Sequence, residues 1–122
     1  MLNTLPIPVI SGLILTPVMI ATGQVLFKLA SERTGAVDVA GLTGLITNPF
    51  LIVALIIYGL GTIIWIFLLK SVPLSFAYPF MALTFVLVPL LAWYFLGEPL
   101  TWRKGFGTAL VMAGLIVISG SA

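Results

Sequence analysis

The 122-residue sequence contains no cysteine and no histidine. The first absence excludes disulfides, thiolate metal sites and thiol nucleophiles. The second removes the side chain most used for proton transfer and metal binding near neutral pH. Acidic residues are nearly as scarce: Glu32, Asp38 and Glu98 are all there are. Two of them share one loop, which leaves no pair of carboxylates for a hydrolase of the two-acid kind. No glycine-rich phosphate loop occurs, so nothing in this chain couples transport to nucleotide hydrolysis. These gaps predict a protein that is not an enzyme, with no catalytic residues, no metal and no cofactor. Charge is sparse as well, at 7% of residues, against roughly 25% in a soluble domain. A pI near 9.3 therefore reflects few charges of either sign. It does not describe a basic nucleic-acid groove, and no nucleic acid is expected as a partner.

Apolar residues dominate what is present, at 61% of the chain with a mean hydropathy of +1.31. The eight charges divide the sequence into uncharged runs of 27, 31, 27 and 18 residues. Each is near the ~20 residues that cross a bilayer as helix. The first 27 residues carry no Lys or Arg, and their apolar stretch exceeds the roughly 7–15-residue core of a signal peptide; a retained first helix is predicted. The runs are continuous rather than alternating, which excludes a β-barrel.

The predicted fold is an all-α integral membrane protein, one domain over residues 1–122, with four transmembrane helices in an antiparallel bundle. The helices are expected at about residues 8–29, 50–69, 74–96 and 101–119. Between the first two lies a loop whose mildly apolar middle, Val39 to Ile46, suits the membrane surface. Thr47-Asn48-Pro49, Lys70-Ser71-Val72-Pro73 and Gly97-Glu98-Pro99 supply the breaks, and Thr101 is the expected N-cap of the last helix. The side receiving the first and third loops carries Lys28, Arg33, Arg103 and Lys104; the opposite side carries only Lys70. That bias predicts these loops in the cytoplasm and both termini outside. Four helices enclose little space alone, so a dimer with an identical or related chain is expected, with membrane lipids around it.

Several residues are out of place in a passive helix. Gln24 and Lys28, four apart, share one helix face. Ionisable groups within membrane segments are often functional, although a lysine near a helix end also snorkels to the headgroups. Tyr58, Thr62 and Trp65 form a second stripe, readable as a cavity lining or as interfacial aromatics. Pro79 and Pro89 free the carbonyls of Ser75 and Phe85, near Tyr78 and Ala82, either as a polar lining or as a kink. Arg103 and Lys104 oppose the dipole of the helix they begin, so helix stability does not account for them. Topology or an anionic ligand does, with Glu98 a possible neutralising neighbour.

The sequence carries Gly23-Gln24 followed by Lys28, then Val72-Pro73-Leu74-Ser75-Phe76-Ala77-Tyr78-Pro79, Gly97-Glu98-Pro99, and Gly107 with Gly114-Leu115-Ile116-Val117-Ile118. In order and spacing these resemble the four-helix members of the drug/metabolite transporter superfamily, from about Thr16 to Ser121. Most similar are the small subunits of the flippase for aminoarabinose linked to undecaprenyl phosphate. The resemblance implies a small multidrug resistance-like fold in the bacterial inner membrane and a polyprenyl-phosphate-linked sugar as substrate. It also implies pairing with a second short chain. The substrate-binding residues expected are Gln24, Lys28, Tyr58, Thr62, Trp65, Ser75, Tyr78, Glu98, Arg103 and Lys104. Proton-coupled small multidrug resistance proteins, exporters of amphipathic cations, are also similar. Their glutamate in the first helix is replaced here by Ile20, and residues 1–27 contain no acid. An accessory subunit of a membrane glycolipid complex is the third reading.

Overall fold

The computed structural model describes residues 6–120, with side chains through residue 118. Among them are six helical segments: α1 (Ile7–Arg33), α2 (Val39–Ile46), α3 (Pro49–Leu69), α4 (Leu74–Met81), α5 (Thr84–Leu96) and α6 (Trp102–Gly120). No strand is present among the described residues. Three helices are long and apolar enough to cross a membrane: α1, α3, and α4 with α5 taken together as Leu74–Leu96. The chain is a multi-pass membrane protein.

Local chemistry sets the helix ends. Proline within the first turn opens both α1 and α3, where a missing amide hydrogen costs nothing. The Asp38 carboxylate accepts from the Gly41 amide at 2.8 Å and caps α2. Asn48 caps α3 in the same way, accepting from the Phe50 amide at 2.9 Å. Gly97 closes α5 with φ 69°, a left-handed conformation that disfavours a Cβ. Thr101 caps α6 as expected, its Oγ1 accepting from the Lys104 amide at 3.1 Å.

Helix α1 is the central element. Against it α3 runs antiparallel, and the pairings descend along α3 as they climb α1. Gly12 meets Leu68, Met19 meets Gly61, and Gly23 meets Tyr58. The Ala30 carbonyl then accepts from the Asn48 side chain, and the Arg33 guanidinium lies 4.6 Å over the Phe50 ring. Small residues line this seam because helices in lipid associate through close backbone approach rather than through exclusion of water. A Cβ on Gly12 would stand 2.8 Å from a Leu68 methyl. At one end of the seam Leu13, Leu68, Val72 and Ala77 form the buried cluster. Most other large apolar side chains face outward, including Leu60, Phe67, Trp93 and Ile116. That distribution would expose large apolar patches in water and suits a hydrocarbon solvent.

Three sequence expectations change in the structure. Helix α1 continues to Arg33 instead of ending at residue 29, so Lys28 sits more than a turn from its end. The first loop contains the helix α2. The helix expected as continuous over residues 74–96 is broken at Ala82–Leu83, at neither proline. The break follows Pro79, where the amides of Ala82, Leu83, Phe85 and Val86 bond three residues back rather than four. Pro89 lies within α5 without interrupting it.

Candidate functional site

Helices α1, α5 and α6 line a groove beside the α1–α3 seam, where Ile20 of α1 also reaches Gly61 of α3. Its floor is a cavity of about 400 Å³ lined by Ile20 and Gln24 of α1, Thr84, Phe85, Val88 and Pro89 of α5, and Thr108 of α6. A second cavity of about 440 Å³ shares Phe85, Pro89 and Thr108 and extends past Leu100 and Thr101 to Lys104. The two form one groove, with three polar side chains in its floor and an ammonium at one end. A separate cleft of about 330 Å³ lies between α1 and α5, lined by Val25, Leu26, Leu29, Leu91 and Phe95. Its single polar side chain is Thr22, whose hydroxyl donates to the Val18 carbonyl at 2.8 Å. That cleft offers a hydrocarbon chain an almost wholly apolar surface.

Helix direction decides where the cations stand. Gln24 shares a cavity with Thr84 and Val88, while Leu29 shares one with Leu91 and Phe95. Helices α1 and α5 therefore run parallel, and α6 returns antiparallel after Gly97. Lys28, one turn beyond Gln24 on the same face, and Lys104, one turn before Thr108, both lie toward the Gly97 end. Lys28 is exposed. Lys104 donates to the Pro99 carbonyl at 3.0 Å, which uses one of its three hydrogens and leaves two for a ligand.

The residues singled out in the sequence divide into those at the groove and those elsewhere. Gln24 and Lys104 line it, and Lys28 continues its α1 face. Arg103 is exposed beside it, and Glu98 is half-buried without an ion pair among the described residues. Tyr58 packs on Gly23 and on the Phe27 ring, centroids 5.7 Å apart. Thr62 donates to the Tyr58 carbonyl at 2.9 Å, and Trp65 joins the buried cluster. These three belong to α3 and are not among the residues that line the groove. Ser75 and Tyr78 are exposed on α4, outside the groove lining. Sequence reasoning missed Thr84 and Thr108. Their signal was a lone hydroxyl within an otherwise apolar run.

The profile of the EamA-like transporter family matches residues 9–120. The chain belongs to that family. Several curated relatives that it resembles carry one name. The probable 4-amino-4-deoxy-L-arabinose-phosphoundecaprenol flippase subunit ArnE of Pseudomonas aeruginosa is 38% identical over 110 residues, 90% of this chain and 96% of the relative. The protein of the same name in Pseudomonas paraeruginosa is 36% identical over 110 residues, with the same coverage of both chains. That of Yersinia pestis is 42% identical over 74 residues, 61% of this chain and 65% of the relative. No solved structure matches the chain. Within an EamA-like transporter, a groove open between helices is the feature suited to moving an amphipathic molecule, since polar and apolar surfaces lie side by side along it.

Proposed function

We propose that this chain is a non-enzymatic subunit of a flippase that moves a polyprenyl-phosphate-linked sugar of the aminoarabinose type across the bacterial inner membrane. The similarity to proteins named as such flippase subunits, over nearly their whole length, carries the proposal. The groove supports it physically. Cations at one end attract a phosphodiester, polar side chains in the floor suit a sugar, and the apolar cleft beside α1 accepts part of the polyprenyl tail. Protein purified from membranes should carry this lipid, read by mass spectrometry. Recovery of ordinary phospholipid alone, from cells that make the sugar lipid, would refute the assignment.

In this reading the 19-residue α6 is the fourth span of a single-domain, small multidrug resistance-like bundle. At 1.5 Å per residue it reaches about 29 Å, close to the hydrocarbon thickness. The Lys and Arg bias puts α2 and the Gly97 turn in the cytoplasm and both termini outside. A cysteine at Ser71 should then react with an impermeant reagent in intact spheroplasts, and one at Gly35 only after lysis. The reverse pattern inverts the topology. Four spans enclose little space alone, and α6 buries no described side chain fully, which leaves it a face for a partner chain, identical or related, as well as for lipid. Cross-linking in membranes should capture a dimer. Export of small cations by proton exchange is disfavoured because the groove floor carries Ile20 and no carboxylate.

A further inference from the structure

The break between α4 and α5 determines what the groove floor presents to a ligand. In an unbroken helix the Phe85 amide would bond the Met81 carbonyl; here it bonds the Ala82 carbonyl at 2.9 Å. The Met81 carbonyl, so released, accepts instead from Thr84 Oγ1 at 2.7 Å. A hydroxyl has one hydrogen and two lone pairs. With its hydrogen held by Met81, the Thr84 hydroxyl has only lone pairs left for a ligand in the cavity this residue lines. Turning the hydrogen toward a ligand would leave a backbone carbonyl without a partner in a region where little water competes for it.

We infer that the floor of the groove is a subsite for hydrogen-bond donors on the ligand, with Thr84 as its specificity-determining acceptor. The inference rests on the flippase reading and adds the polarity of each end of the site. Anionic groups are received toward Lys104, where two ammonium hydrogens remain. Hydroxyl or ammonium hydrogens of the head group are received at Thr84. Gln24, exposed on the facing helix, supplies an amide that both donates and accepts, so it holds a sugar hydroxyl without choosing its sense. Thr108, on the third wall, adds a further hydroxyl. A head group rich in acceptors but lacking donors, such as a bare phosphate, gains nothing at this end.

The test compares two lipids on the purified full-length protein: undecaprenyl phosphate, and the same lipid carrying 4-amino-4-deoxy-arabinose. Wild type should prefer the sugar lipid. Thr84→Val keeps the side-chain shape and removes the lone pairs. It should lower affinity for the sugar lipid about 3- to 10-fold more than for the bare one, the range of a neutral hydrogen bond. Thr84→Ser should restore the preference. Equal losses on both lipids would reduce Thr84 to a brace for the break and overturn the inference, as would no loss on either. Wild type that binds neither lipid overturns the flippase reading itself, a distinct outcome. If Thr84→Val does not insert stably, deoxy and deamino sugar lipids on wild type decide instead. Removing one donor should cost the same factor, and indifference to every donor overturns the subsite.

Discussion

Asn48 donates its side-chain amide to the Ala30 carbonyl at 3.2 Å, across 18 residues of chain, while its Oδ1 accepts from the Phe50 amide. One buried side chain thus caps α3 and ties it to α1. Asn48→Leu should lose both bonds and leave the Ala30 carbonyl with one partner fewer. The expected destabilisation is about 1–3 kcal/mol, measured by reversible unfolding in detergent. Asn48→Asp preserves the cap and loses the donor, so it should fall between Leu and wild type. Equal stability of all three would mean that the seam below, and not this clamp, holds α1 to α3.

Gly23 lies against Tyr58 so closely that an added Cβ would stand 3.0 Å from the ring. A larger side chain there forces the ring off Phe27 or the helices apart, and overpacking of this kind costs about 1–3 kcal/mol. Gly23→Leu should destabilise by that amount. Tyr58→Ala in the same chain should recover part of the loss by vacating the space, which a double-mutant cycle reads directly. A purely additive cycle would show that the two residues do not press on one another.

The extent to which these features were legible in sequence follows from how local their causes are. Continuous apolar runs, the Asn48-Pro49 start of α3, the Gly97 stop and the Thr101 cap are each determined by a few neighbouring residues. All could be read in order. The break at Ala82–Leu83 falls at residues with no breaking character of their own; it follows Pro79 through a shift in bonding that only the three-dimensional chain reveals. The groove was legible only in part. Gln24 and Lys104 announce themselves as polar groups in or beside apolar spans, whereas Thr84 and Thr108 matter because α5 and α6 turn those faces toward α1. The Tyr58, Thr62 and Trp65 stripe has helical spacing, yet spacing alone did not tell which neighbour it meets. Close packing on Gly23 and the buried cluster takes two of the three.

Helix α2 should lie in the plane of the membrane interface. Val39, Leu42 and Ile46 recur at steps of three and four along one face, and all are exposed. The helix joins the Arg33 end of α1 to the start of α3, which holds it level with the membrane boundary. An eight-residue helix with that face outward gains by burying it among the headgroups. Because the chain has no cysteine, a single spin label at Leu42→Cys reports its own depth. Collision with dissolved oxygen and an aqueous nickel reagent should place it about 5–10 Å below the headgroups. A label reached freely by nickel would put α2 in water.

In the proposed function two lysines are candidates to receive the phosphate, and substitution separates them. Lys104 lines the groove but shares its ammonium with the Pro99 carbonyl. Lys28 is exposed on the Gln24 face of α1, more than a turn before the helix ends. That position makes a retreat to the headgroups longer than it would be from the last turn. Lys28→Met retains the apolar stem and removes the charge. A charge-assisted contact to phosphate contributes on the order of 1.5–3 kcal/mol, so affinity for undecaprenyl phosphate should fall roughly 10- to 150-fold. Lys28→Arg should keep part of the affinity, since the charge survives in a planar fork. Lys28→Trp should not, although tryptophan is at home at the interface and would satisfy an anchoring role. Insertion and expression should be unchanged throughout, and the difference between Lys and Met should narrow as salt rises. If Lys28→Met and Lys28→Trp both bind the lipid as wild type does, Lys28 anchors α1. Lys104→Met then becomes the substitution that should abolish binding.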